Sequence, residues 1–294
     1  MSYRFDPNEN SAVEASRIVT EQFDKALAEL RRPDRDAAIH GVRKRLKKIR
    51  AVLRIVRPHM QAYADQNKCL HDIAALLSGA RDATACVEAY DGLLDGFGDA
   101  VDHAFLIPTR RALRERRNRV VFDRRMDDVL ESVRRSLERV RATVPHWDIA
   151  SEDVPDLAEG LAKTYKRGRK AMIAALDQPT APKLHEWRKR TKYHRYHCRL
   201  MRGAWKPVYQ GRRKAAKRLS SLLGEDRDLA LLRDLLSAHP DEFGGAARVD
   251  AILALIGRRR ERLLGEAREE GKRVYARKPG AQKAEAVSVL QASA

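Results

Sequence analysis

Apolar residues recur at three- and four-residue intervals along most of the chain, and no convincing period-two alternation occurs, a pattern that predicts helices throughout. Val13, Ile18, Phe23, Leu27 and Leu30 mark the face of a first helix, capped by Ser11 and stopped by Pro33. A second helix is expected from Asp36 to Arg57, ended by Pro58, with Val42, Leu46, Ile49, Leu53 and Val56 as its apolar seam. Amphipathic stretches follow near 60–78 and 82–95. Gly92, Gly96, Gly98 and Pro108 then predict a break before a long Arg-rich segment near 109–142. Pro145 and the acidic stretch 151–156 read as a hinge, followed by helices near 156–177, 183–203, 208–223, 226–238 and 246–275. From Lys278 the sequence predicts a flexible tail. The expected fold is all-α, with an N-terminal extension over 1–10, helical halves over 11–145 and 146–277, and a tail over 278–294.

The two halves repeat each other. Residues 40–57 align with 185–202 at an offset of 145, and eight of these 18 positions are identical. The identities are His40/His185, Arg43/Arg188, Lys44/Lys189, Arg45/Arg190, Lys47/Lys192, Arg50/Arg195, Arg54/Arg199 and Arg57/Arg202, every one His, Lys or Arg. The apolar positions have drifted: Val42 faces Trp187, Ile49 faces His194 and Leu53 faces Cys198. A duplicated scaffold kept only for packing would preserve its core at least as well as its surface, so the shared cations carry the functional signal. A weaker match follows, with Leu77…Arg81-Asp82 against Leu223…Arg227-Asp228, and Lys68 against Lys214.

On a helix, His40, Arg43, Lys47, Arg50, Arg54 and Arg57 fall in one stripe about 100° wide and about 26 Å long. His185, Arg188, Lys192, Arg195, Arg199 and Arg202 form the same stripe in the second half. A solvated face normally mixes signs, because like charges at i, i+3 and i, i+4 cost a few tenths of a kcal/mol each. Residues 40–57 contain no acid and residues 185–202 contain only Glu186. An anion that relieves this repulsion is the simpler reading.

Composition agrees. The 294 residues carry 60 Lys plus Arg against 41 Asp plus Glu, a net charge of +19, with 43% hydrophobic residues. That is too apolar for a disordered chain and demands an acidic partner. No apolar run approaches a membrane span, no apolar signal region opens the chain, and the three cysteines, Cys69, Cys86 and Cys198, have no metal-ligand spacing. A cytoplasmic protein without a disulfide framework is expected. Readers of single-stranded nucleic acid usually interleave aromatic platforms with cations; the first copy has none, whereas the second offers Trp187, Tyr193 and Tyr196. A groove reader needs a protruding helix, and both seams predict packed ones. These points favour a phosphate polymer without bases, leaving RNA or DNA as the alternative partner.

His-x-x-Arg-Lys-x-x-Lys repeated once per half, each copy followed by Arg-Asp, resembles the CHAD family, the conserved histidine α-helical domain. The resemblance spans about 10–275 and includes Tyr165-Lys-Arg-Gly168-Arg169. It implies two four-helix bundles related by pseudo-two-fold symmetry, with the basic helices lining a central channel. It also implies non-catalytic binding of inorganic polyphosphate, often at polyphosphate granules. By matched position the implied ligands are His40, Arg43, Lys44, Lys47, Arg50 and Arg54 with His185, Arg188, Lys189, Lys192, Arg195 and Arg199. Lys214, Lys217, Arg218 and Lys68 are secondary candidates. The sequence departs from the pattern at His194 and His197, which face Ile49 and Val52, and at Thr20, opposite Tyr165.

Other chemistry is less well supported. His185, His194 and His197 sit among cations that would repel a metal ion, so no metal or cofactor is expected. Phosphate transfer through His40 and His185 would need an orienting carboxylate and a donor site, and no Gly-x-x-x-x-Gly-Lys-Ser/Thr loop is present. A phosphotransfer or phosphohydrolase enzyme is thus the remoter alternative. Asp82 and Asp228 are expected to cap a helix or orient the preceding Arg. The basic run Arg110–Arg119 reads as a solvated helix or an extension of the phosphate surface. On this reading binding tightens below about pH 6.5, as the two histidines charge.

Overall fold

The computed structural model describes residues 3–97, 103–150 and 156–292, and among them no strand occurs. The first half contains α1 (Ser11–Leu30), α2 (Arg35–Val56), α3 (Tyr63–Leu76), α4 (Ser78–Phe97), α5 (His103–Val121) and α6 (Arg125–Thr143). The second contains α7 (Leu157–Asp177), α8 (Ala181–Leu200), α9 (Lys206–Ala238), α10 (Ala246–Val274) and α11 (Pro279–Gln291). Neighbour pairings repeat: α1 packs on α2 as α7 does on α8, α6 on α1 as α11 on α7, and α4 on α5 as α9 on α10.

Several boundaries differ from expectation, each for a local reason. Asn10, not Ser11, caps α1, its side chain accepting from the backbone N–H groups of Ala12 and Val13 while Ser11 is buried. Val13 points to solvent, whereas Ile18 and Phe23 enter the core. Gly92 and Gly96 do not break α4, and Pro108 lies inside α5; Gly98 lies outside the described residues. The Arg-rich stretch is two helices, separated at 122–124. Leu223–Asp228, expected near a helix end, lies inside the unbroken 33-residue α9, whereas its counterpart Leu77 sits at the break between α3 and α4. Residues 279–291, expected as a flexible tail, form α11, whose Gln282, Ala286 and Leu290 are buried and which packs on α7. Of the expected hinge, Pro145 lies in the 3-10 turn Val144–His146, and 151–155 fall outside the described residues.

The seam of α2 behaves as predicted: Val42, Leu46, Ile49, Leu53 and Val56 are all fully buried. The cores do not follow the division at 145. One gathers α1, α2, α3 and α6 with Tyr193, Tyr196, Cys198 and Leu200 of α8. A second joins α4 and α5 to α9 and α10, and a third holds Trp187 among residues of α7, α9 and α10. The N-terminal extension joins in through Tyr3 and Phe5, both buried, with the Phe5 N–H donating to the Leu200 carbonyl at 2.9 Å. Contact between halves is tight where α7 meets α2: a Cβ on Gly160 would lie 1.8 Å from the Ile55 carbonyl oxygen. Gly160→Ala therefore has to push α7 off α2. A loss of about 1–3 kcal/mol is expected, the usual cost of overpacking, and urea unfolding measures it; an unchanged midpoint would contradict the close approach.

Candidate anion-binding site

Helices α2 and α8 meet toward their C-terminal ends. At the crossing the His197 Nε2 meets the Ala51 carbonyl at 2.9 Å, and the Arg54 guanidinium stacks on the Tyr193 ring at 4.0 Å. Their N-terminal halves, which α4 and α9 flank, carry the cations. Burial pushes the Lys47 amine down to about 7, helped by Arg43 on its own helix, Arg188 of α8, Arg81 of α4 and Arg227 of α9. Lys192 is held well below the ordinary amine range by burial, then by Lys47, Arg188 and Arg195, with Asp228 opposing. Arg43 and Arg188 are displaced downward too, again first by burial. The repeated positions of the two halves thus converge on one place.

An open cleft of about 340 Å³ lies there, lined by Arg188, Lys192, Arg195, Ser220, Gly224 and Asp228 among others. The Arg188 side chain lies against α9 at Gly224, where a Cβ would stand 3.4 Å from its Nε. Arg43 donates to the Ala74 carbonyl through Nη1, yet its Nε is buried without a partner, and so is the Nε of Arg188. Partnerless Nε groups also occur at Arg54, Arg57, Arg169, Arg213 and Arg248, but Arg43 and Arg188 are a pair at the same position of both copies.

The surrounding acids are already engaged. Arg227 spans the halves, donating to Asp82 at 2.7 Å and Asp228 at 2.8 Å, as expected of orienting carboxylates. Arg81 pairs with Glu88 at 2.6 Å and Arg259 with Glu225 at 2.6 Å. By contrast Arg43, Lys44, Lys47, Arg50, Arg188, Lys192, Arg195 and Arg199 have no described carboxylate within 4.0 Å.

The chain belongs to the CHAD domain family. The family model matches residues 17–237. The fold is similar to that in the crystal structure of the CHAD domain from the plant Ricinus communis, at a TM-score of 0.60 and 16% identity, covering 95% of this chain and 96% of that one. It is likewise similar to PptA from Streptomyces chartreusis, at a TM-score of 0.62 and 16% identity, covering 92% of this chain and 100% of that one. No curated protein matches by sequence.

Around the CHAD cleft the matched residues have different fates. His40 and His185 are exposed at its rim, and their imidazoles are shifted below the ordinary range by desolvation and by cations: Arg81 and Lys47 for His40, Arg188, Lys189 and Arg227 for His185. Arg54 is buried, bonded to Asn67 and stacked on Tyr193, and Arg50 also donates to Asn67. Lys189 is tied to Glu186. Arg45 and Arg190 serve packing, pairing with Glu29 and Glu186. Lys214 and Lys217 are exposed on α9, and Arg218 lies 3.8 Å from Glu270. Lys68 lines a separate groove between α3 and α6 and pairs with Asp72 at 2.7 Å. Arg110, Arg114, Arg116, Arg117 and Arg119 pair with Asp91, Asp36 and Glu242, so this run braces α5 against its neighbours. Arg81 and Arg227 were visible in the repeat, but as members of a turn motif; their placement beside Lys47 required the fold.

His194 and His197 are core groups. Burial pushes them down to about 4 and about 3, and His194 lies against the Cys198 sulfur. Among the described residues no His, Cys, Asp or Glu cluster is disposed to hold a metal ion. Because both histidines are neutral when folded and ordinary (about 6.5) when unfolded, the unfolded chain binds more protons between these limits. Stability they contribute is complete above about pH 6.5 and lost as pH falls toward 4. Urea midpoints are expected to drop steadily from pH 7 to about 4.5, less so in His194→Phe; a flat profile in the parent would refute buried neutral histidines.

Proposed function

We propose that this CHAD chain binds inorganic polyphosphate, without turning it over, in the cleft that α4, α8 and α9 line beside Arg43 and Lys47 of α2. One observation carries the reading: like-charged, largely buried cations from both repeat copies meet with no described carboxylate within 4.0 Å, the acids that line the cleft (Glu88, Glu225 and Asp228) being bound instead to Arg81, Arg259 and Arg227. The buried Nε–H groups of Arg43 and Arg188 add donors that lack acceptors. Phosphate oxygens would supply both the charge and the acceptors, through charge-assisted hydrogen bonds. A base-free polymer needs nothing else from a site, and no aromatic side chain is exposed between these cations for a base to stack on. Residence in the cytoplasm and recruitment to polyphosphate granules belong to the same proposal; no described helix is long and apolar enough to cross a membrane.

Competition between long polyphosphate and tRNA or duplex DNA at about 150 mM salt tests the ligand. Polyphosphate is expected to win by a wide margin, with affinity falling steeply as salt rises; equal affinity would favour the nucleic-acid reading. Arg43→Glu combined with Arg188→Glu should abolish binding while the helical content persists, and unchanged affinity would refute the site. Phosphate release from polyphosphate with added magnesium would favour the enzyme reading.

The pH dependence differs from the expectation based on histidine alone. With Lys47 near 7 in the free chain, a bound polyanion favours the charged amine, so binding takes up protons and weakens as pH rises from 7 to about 9. His40 and His185, already shifted downward, add further tightening only on the acid side of about 6.5. Calorimetry in buffers of differing ionisation enthalpy should register this uptake at pH 7.5, and Lys47→Met should reduce it; identical heats in all buffers would exclude it.

A further inference from the structure

We propose that the bound polymer leaves the central cleft on one side only, over a track formed by Arg195, Arg199, Lys44 and Arg213 and backed by the buried Lys48, so that two helices with matched cations make an asymmetric site. This rests on reading the cleft as a polyphosphate site.

The argument compares residues at equivalent positions. Arg50 and Arg54 of α2 correspond to Arg195 and Arg199 of α8 at the offset of 145. In the first half both are engaged, and Arg54 is buried. Arg50 Nε and Arg54 Nη1 both donate to Asn67 Oδ1, at 3.1 and 2.6 Å, and Arg54 is only 6% exposed beneath Tyr193. In the second half the position of Asn67, at the offset of 146 that aligns Lys68 with Lys214, is Arg213, a cation that offers no acceptor. Arg199 is accordingly exposed and has no carboxylate partner.

The position of Tyr193 is Lys48 in the first half, so a ring that covers Arg54 on one side is replaced by a further cation on the other. Lys48 and Arg199 both lie over the Tyr3 ring, at 4.9 and 5.6 Å, and Arg195 over Tyr196 at 5.0 Å. Tyr3 and Tyr196 meet edge to face at 6.3 Å. This aromatic floor holds the cations by their charge without neutralising it, unlike a carboxylate. Arg213 and Arg202 stand in the field of Arg199, and Lys44, Arg45 and Lys25 in that of Lys48. Of the last three, Arg45 is paired with Glu29 and Lys25 with Glu21, whereas Lys44 is exposed one turn before Lys48. Arg195 also lines the cleft beside Lys192 and Arg188, which makes the track continuous with the central site.

Two variants that remove equal charge separate the ends. Lys44→Gln with Arg199→Gln acts on the open end. Arg135→Gln with Arg139→Gln removes two exposed arginines of α6, where Arg139 lines the groove along α3, the helix that carries Asn67. Binding of long polyphosphate and of tripolyphosphate is measured against salt by titration, with circular dichroism confirming that each variant is folded. The open-end pair is expected to lose at least about tenfold more affinity for the long polymer than for tripolyphosphate, and its salt slope for the long polymer to fall by about 1.5. The α6 pair is expected to leave that slope within error of the parent. Equal losses from both pairs, or no loss from the open-end pair, would overturn the track while leaving the central site standing. Failure of the parent to bind polyphosphate would instead overturn the functional reading itself.

Discussion

The arrangement depends on holding cations against one another where water is scarce. Lys47 and Lys192 lie in each other's field, with arginines from four helices around them, and their displaced amines record the cost. Two unit charges 4 Å apart repel by about 4 kcal/mol at an effective dielectric of 20, so such a cluster persists only if the scaffold is fixed elsewhere. The fully buried seam of α2 and the Trp187 core behind α8 supply that fixing, on faces away from the cations. Each helix is anchored on one side and unfinished on another.

The acids show how the repulsion is kept local. Asp82 and Asp228 both bind Arg227, from opposite halves of the chain, which ties α4 to α9 and fixes one guanidinium beside the cleft. Further out, Asp91, Glu242 and Asp36 hold the arginines of α5. The net charge of +19 is therefore unevenly spread. Acids that could have neutralised Arg43, Lys47, Arg188 and Lys192 are occupied by other arginines, leaving those four with no described carboxylate within 4.0 Å.

Duplication alone does not make the two stripes equivalent. Arg54 and Arg199 are the same residue at the same repeat position, yet one is bonded to Asn67 and covered by Tyr193 while the other is exposed above Tyr3. The difference comes from residues outside the matched identities: Asn67 against Arg213, Tyr193 against Lys48, and Tyr3 against Asp148. The same holds for His194 and His197. They look like additional ligands in a basic helix, but they occupy the positions of Ile49 and Val52 and are buried as those are.

Much was legible in the order of residues alone. Apolar spacing settled the helical class and the buried face of α2, because a helix can bury only the stripe that its 3.6-residue period brings together. The repeat of His, Lys and Arg named Arg43, Lys47, Arg188 and Lys192, because a like-charged face has no stability reason to recur. Local signals failed where distant partners overrode them. Gly92, Gly96 and Pro108 lie within helices, and the polar-looking stretch from 279 is helical because α7 offers it an apolar surface. Only the tertiary structure decided which cations stay free, since pairing depends on what a side chain meets across the crossing of α2 and α8. It placed Arg81 and Arg227 beside the cleft, withdrew Lys68 to another groove, and buried Arg54 but not Arg199 through Asn67 and Tyr193.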